Sequence, residues 1–216
     1  MEENISIQRR HSIPIQIGAV TVGGKAPVSV QSMTNTPTQD IKATVAQIQR
    51  LEAAGCEIIR VAVPDETAAD AIKPVKAAIT IPLIADIHFD HRLAIRAAMA
   101  GADGLRLNPG NIGGPDKVRS VVKCAKDHGV PIRIGVNAGS LEKDLLERHG
   151  GATPAAMVAS ALRHTALLED LDFRTIKLSL KASDVGRTLA AYRLLAAQTD
   201  LPLHIGVTEA GSLYSG

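Results

Sequence analysis

One unit recurs along this chain: an amphipathic stretch with apolar residues three and four apart, a turn, and a short apolar run. The segments AAGCEIIRVAV, MAGADGLRLN, KDHGVPIRIGVN, LEDLDFRTIKLSL and AQTDLPLHIGVTE all end in this way. In DIKATVAQIQRLEAAG, Ile41, Val45, Ile48 and Leu51 share one helical face, and Gly55 supplies the C-terminal stop. Similar spacing predicts helices near 65–79, 90–100, 114–128, 155–170 and 184–198. Strands are predicted at 28–33, 58–63, 82–88, 104–108, 131–137, 175–181 and 202–208. Seven strands separated by six helices imply an α/β protein with a parallel sheet under helices, either doubly wound or closed as a TIM (β/α)8-type barrel. No GxGxxG follows the first strand and no Walker sequence occurs, so the barrel is favoured, ending here after its seventh strand. Residues 1–25 stand apart. IPIQIGAVTVGGK alternates and turns like a small β-hairpin, expected to cap the N-terminal mouth of a barrel domain spanning 26–216. The long connection 138–154, with LEKDLLERHGG, is expected to hold a short helix and a mobile loop.

Composition excludes several partners. With 216 residues, 45% of them hydrophobic, the chain can bury one substantial core without a disulfide or metal. Its formal charge of +2 comes from 24 basic and 22 acidic residues that are interspersed, so no polyanion-binding surface is indicated. Two Phe, two Tyr and no Trp leave few platforms for stacking bases, which argues against nucleic acid. Cys56 and Cys124 lie far apart with no CxxC; no metal site is expected, and a reduced compartment fits best. The N-terminus lacks a signal-peptide core, and no run of about 18 apolar residues exists to span a membrane. A soluble cytoplasmic protein is expected.

Successive strand side chains point to opposite faces, so each predicted strand divides by parity. One parity is apolar: Ile59 and Val61; Leu105 and Leu107; Ile132, Ile134 and Val136; Ile176, Leu178 and Leu180; Leu203, Ile205 and Val207. These are expected to face the helices. The other parity carries Arg60, Asp86 and His88, Arg106 and Asn108, Arg133 and Asn137, Lys177, Ser179 and Lys181, and His204 with Thr208. These converge on the barrel axis, which such folds normally fill with Val, Ile and Leu. Three arginines and one or two lysines against Asp86, with or without Glu209, leave a cationic excess, and unpaired charge in a dry space is costly. An anionic ligand completes such a lumen. A diphosphate suits best, because guanidinium forks engage phosphate oxygens in pairs and a lysine adds a point charge.

Other signals are weaker. NPGNIGG (108–114) precedes a helix and could offer backbone N–H groups to a phosphate, although turns of this composition are more often only turns. His11, His91, His128, His149 and His164 fall on expected helix surfaces or loops, where solvated roles are the simpler reading. Cys56 and Cys124 read as small buried residues. Glu209 in GVTEAG lies just past a strand's C-terminal end, where a catalytic carboxylate and a helix-initiating one are equally compatible with its place.

Taken together, VQSMTNTPT, IIRVAVPD, PLIADIHFDHRLA, GLRLNPGNIG, IRIGVNAGSL and HIGVTEAG closely resemble the barrel domain of the 4-hydroxy-3-methylbut-2-enyl diphosphate synthase family, from near residue 5 to the last residue. The resemblance implies an oxidoreductase of non-mevalonate isoprenoid synthesis, acting on 2-C-methyl-D-erythritol 2,4-cyclodiphosphate. It implies electrons from flavodoxin or ferredoxin through a [4Fe-4S] cluster, and a homodimer of the complete enzyme. The family's diphosphate-binding residues fall on Arg60, Arg106, Arg133 and Lys177, with Asn137, Asn108, Ser179 and His204 as further pocket groups. Asp86 and His88, like Asn137, match polar pocket positions, and Glu209 matches one near the reacting carbons; Glu209, Asp86 and His88 are the expected catalytic residues. Family members continue into a cluster-binding domain whose ligands neither Cys56 nor Cys124 matches, so this chain alone is expected to hold no cluster and to be inactive. Two alternatives remain: a pterin diphosphate transferase of the dihydropteroate synthase kind, and a non-enzymatic barrel that binds a phosphorylated ligand.

Overall fold

The computed structural model of the protein describes residues 9–206. A two-stranded antiparallel hairpin, β1 (Ile15–Ile17) and β2 (Val20–Val22), precedes a six-stranded parallel sheet. The sheet comprises β3 (Gln31–Met33), β4 (Ile58–Ala62), β5 (Leu83–Asp86), β6 (Gly104–Leu107), β7 (Ile132–Asn137) and β8 (Ile176–Lys181), each beside its neighbour in sequence. It curls into a half-barrel. The seventh expected strand contributes one parallel bridge, Leu178 with Leu203, in which Leu178 N–H donates to Pro202 O at 2.9 Å and His204 N–H to Leu178 O at 2.8 Å. Its expected residues 207 and 208 lie outside the described residues. So does Glu209.

Among the described residues, six helices connect these strands and a seventh follows β8: α1 (Ile41–Ala53), α2 (Glu66–Ala77), α3 (His91–Met99), α4 (Pro115–His128), α5 (Lys143–His149), α6 (Pro154–Glu169) and α7 (Val185–Ala196). Most begin at a side chain able to accept from a free first-turn N–H. Asp40, Asp65, Asp90, Asp184 and Thr153 each cap a helix in this way. The connection after β7 holds a 3-10 turn, Ala138–Ser140, and then the short helix α5.

The apolar parity lies buried between sheet and helices, as alternation requires: Ile59, Val61, Leu105, Leu107, Ile132, Ile134, Val136, Ile176, Leu178 and Leu180 are each at most 1% exposed. Ile205 departs from this set. It is 73% exposed, because beyond the single bridge at Leu203 no helix lies over the segment among the described residues. A second small cluster joins Ile17 to Ile58 and Ile84, with Val20 and Val22 against it. Ile58 and Ile84 carry the inward parity at the N-terminal ends of their strands, so the hairpin plugs the base of the lumen with apolar side chains. Its turn comes close to the barrel: at Gly18 (φ +54°) a Cβ would lie 3.0 Å from Pro82.

One expectation is overturned by packing. His164, read as a helix-surface residue, is 3% exposed. α6 packs against α5, α7, β7 and β8 and therefore buries more of its circumference than a helix with one apolar stripe.

Candidate anion-binding site on the inner face

Parallel pairing brings the inward residues into one row. Asp86 pairs with Arg106, Arg106 with Arg133, and Arg133 with Lys177. Nearer the C-terminal mouth, Gly135 pairs with Ser179 and Asn137 with Lys181. Arg60 joins from β4: its Nε lies 3.4 Å from Asp86 Oδ2, and both Nε and Nη2 lie against Met33 Sδ at 3.1 and 2.8 Å. Asp86 also accepts from Arg106 Nη1 at 3.1 Å and lies 3.5 Å from His88 Nε2 at the more exposed rim. One buried carboxylate is thus shared by two guanidinium groups and an imidazole.

Arg133 receives no such help. It is 3% exposed, and its Nε, Nη1 and Nη2 are all buried without a hydrogen-bond partner. Burial, reinforced by Arg60 and Arg106, pushes its pKa down to about 9, and it remains a cation at neutral pH. The same forces act on the lysines. Burial and then Arg133 bring Lys177 down to about 7; burial and then Arg60, Arg133 and Arg106 bring Lys181 down to about 8. His204 is held near 2, mainly by burial and then by Arg133 and Lys177, so it is a neutral imidazole throughout the physiological range. Each of these shifts records burial first, and the neighbouring cations add to it.

Backbone choices make room for this cluster. A Cβ at Gly135 would lie 2.5 Å from Arg106 Nε, so the guanidinium of Arg106 rests on bare main chain of β7. Tyr192 of α7 donates its hydroxyl proton to His204 O and accepts from Leu180 N–H at 3.0 Å, tying the last described segment to β8. Between that segment and the edge of β3 opens a cavity of about 620 Å³, lined by Met33, Arg60, Lys177, Lys181 and His204 among others. That volume suits a small phosphorylated molecule.

The structure brings together Arg60, Asp86, Arg106, Arg133 and Lys177, with His204 lining the cavity and His88 at the rim. Ser179 also faces inward, its hydroxyl donating to Ile134 O at 3.4 Å. Asn108 and Asn137 sit where their loops leave the strands. Asn108 Oδ1 accepts from Gly110 N–H, and Asn137 O accepts from the Ser140 hydroxyl. Lys181 was visible in the inward set, but its place in the cavity was not assigned. Met33 and Tyr192 were missed; a lone Met and a Tyr on a helix carry no distinguishing sequence signal.

The chain has relatives of known family. Residues 12–216 match the family described as the GcpE TIM-barrel domain. The chain is also 57% identical over 216 residues to 4-hydroxy-3-methylbut-2-en-1-yl diphosphate synthase (flavodoxin) of Acidithiobacillus ferrooxidans, and 60% identical over 216 residues to that of Azotobacter vinelandii. The chain belongs to the GcpE family. It spans 59% and 58% of the length of those two relatives, which cover all of it. Among solved structures, this GcpE barrel resembles 3-dehydroquinate dehydratase of Geobacillus kaustophilus (TM-score 0.65, 10% identity, 88% of this chain and 77% of that one). It also resembles dihydropteroate synthase of Yersinia pestis (TM-score 0.61, 16% identity, 90% and 75%). At such identities the likeness concerns the fold alone.

The GcpE barrel shows no fit for an iron–sulfur cluster among its described residues. No three His, Cys, Asp or Glu side chains gather to hold a metal. Cys56 is buried with its thiol donating to Ile58 O, and Cys124 is buried on α4. No helix among the described residues is long and apolar enough to cross a membrane.

Proposed function

We propose that this chain is the substrate-binding barrel of a 4-hydroxy-3-methylbut-2-enyl diphosphate synthase, and that the inner row receives the diphosphate of 2-C-methyl-D-erythritol 2,4-cyclodiphosphate. The observation that carries this reading is Arg133: a buried guanidinium with three unpartnered nitrogens, flanked by further cations, which a doubly charged diphosphate would neutralise and hydrogen-bond. Arg60, Arg106, Arg133 and Lys177 bind the phosphates, with Lys181 beside them. Asn108, Asn137, Ser179 and His204 supply neutral polar contacts. Asp86, His88 and Glu209 serve the reacting carbons. The transformation takes in two electrons and two protons, breaks a ring C–O bond and releases the hydroxyl as water. In this reading a [4Fe-4S] cluster would supply the electrons, and its ligands would lie in the part of the relatives' length that this chain does not span. Flavodoxin, which appears in the relatives' names, is the donor, with ferredoxin an alternative. The complete enzyme is a cytoplasmic homodimer. Residues 1–25 form the cap and 26–216 the substrate-binding unit.

Calorimetric titration tests the reading. The cyclic diphosphate is expected to bind, a pterin diphosphate is not, and Arg106→Ala is expected to weaken binding by roughly 2–4 kcal/mol. Equal binding of both ligands, or an Arg106→Ala variant that binds as the parent does, would sink the assignment.

A further inference from the structure

Behind the Asn108 loop lies a polar cluster that the proposed chemistry does not use. His164 of α6 is 3% exposed, and its Nε2 lies 3.0 Å from Glu142 Oε1, as a close contact rather than an aligned hydrogen bond. Glu142 immediately precedes α5; its Oε2 accepts from the Ser160 hydroxyl at 2.8 Å, and Arg163 lies 3.9 Å from Oε1. Burial holds the imidazole below its usual pKa, against the pull of Glu142. Its Nδ1 is buried without a partner. A residue chosen only to fill this space would be apolar, since an unsatisfied buried nitrogen lowers stability.

The Cε1–Nε2 edge of the ring, which also meets Glu142, gives it a task. A Cβ at Gly110 would lie 2.7 Å from His164 Cε1 and 3.1 Å from Nε2, so the Gly110 backbone rests directly on the imidazole. Gly110 N–H in turn donates to Asn108 Oδ1 at 3.0 Å. That bond commits the carbonyl end of the Asn108 amide to the turn and leaves its amino end without a partner among the described residues, as a donor. Asn108 carries the inward parity one residue beyond Leu107 of β6, two residues above Arg106. Glu142, in close contact with the same ring, lies on the connection that follows Asn137.

We propose that His164 is a positioning residue which, through Gly110, orients the Asn108 amide as a hydrogen-bond donor to the diphosphate ligand. This inference rests on the inner row being a diphosphate site. The contact chain is steric at its first link and hydrogen-bonded at its second, so it makes a specific demand. Removing the ring frees the turn, and the effect on affinity passes through Asn108 alone.

A double-mutant cycle on the chain, with the cyclic diphosphate as calorimetric probe and melting temperature as the measure of folding, tests this. His164→Ala and Asn108→Ala are each expected to weaken binding roughly three- to tenfold, and the double variant no more than the weaker single one. Gly110→Ala is expected to weaken binding by clashing with the ring, and His164→Ala in that background to restore much of the loss by making room for the new methyl group. If His164→Ala lowers the folded fraction, the cycle between Gly110→Ala and Asn108→Ala reads the same coupling. Multiplicative effects of His164→Ala and Asn108→Ala, or parental affinity in folded His164→Ala, would overturn the positioning role while leaving the diphosphate reading intact. Failure of the parent to bind the probe would overturn both.

Discussion

The two faces of β7 share one backbone and one set of ladder hydrogen bonds, yet they do opposite things to the protein. Ile132, Ile134 and Val136 point outward, are at most 1% exposed and belong to the main hydrophobic core. Arg133, Gly135 and Asn137 point inward. Arg133 is as inaccessible as an average core residue but has no partner for its guanidinium nitrogens. Burial is thus the same on both faces, and its sign is not. The outer face contributes stability by removing methyl groups from water. The inner face lowers stability in the empty protein and becomes favourable only when an anion offsets its charge.

The contrast can be broken most strongly at Arg133. Arg133→Met should cost about 3 kcal/mol or more in affinity for the cyclic diphosphate, while raising the melting temperature of the ligand-free chain, because an uncompensated buried cation is replaced by an apolar side chain. A Met variant that melts below the parent and still binds the ligand would contradict both halves of the comparison. On the outer face of the same strand, Ile134→Ala should destabilise the fold by about 3 kcal/mol in denaturant titrations and leave the affinity of the folded fraction unchanged. Asp86→Asn removes the carboxylate shared by Arg60 and Arg106. It should lower the stability of the empty chain by about 2 kcal/mol, a loss recovered at saturating ligand.

Protonation sharpens the comparison further. Lys177 and Lys181 titrate near 7 and 8 in the folded chain, below the ordinary lysine value of 10.5. Above pH 7 the unfolded chain therefore holds more protons on these groups than the folded chain, so their contribution to stability rises with pH up to the unfolded value. The ligand needs both amines charged, and the cyclic diphosphate itself does not titrate in this window. Its affinity should fall roughly tenfold between pH 7 and pH 8, with proton uptake on binding visible as a dependence of the calorimetric heat on buffer ionisation enthalpy. Affinity that is flat across this interval would mean the lysines are not part of the clamp. The smallest effect is expected at Gly135→Ala, where the new methyl group must displace the Arg106 guanidinium. A loss of about 1 kcal/mol in affinity is the expected scale, read by the same titration.

Much of this was legible along the chain because it depends on local repetition. A period of 3.6 residues marks a helix and a period of two splits a strand into faces, so the parallel architecture and the two parities of β4 to β8 follow from residues close in sequence. Arg60, Arg106, Arg133 and Lys177 could be placed on one face before any strand was paired with another. The tertiary structure decided what depends on distant neighbours. Register between strands set Asp86, Arg106, Arg133 and Lys177 in one row and left all three guanidinium nitrogens of Arg133 buried without a partner. Close approach made Gly135 the bed of Arg106, and packing on four sides carried His164 from an apparent helix surface into the interior beneath Gly110. Side-chain periodicity is a property of a single segment, whereas desolvation and ion pairing are properties of the space between segments. That space exists only once the chain has folded.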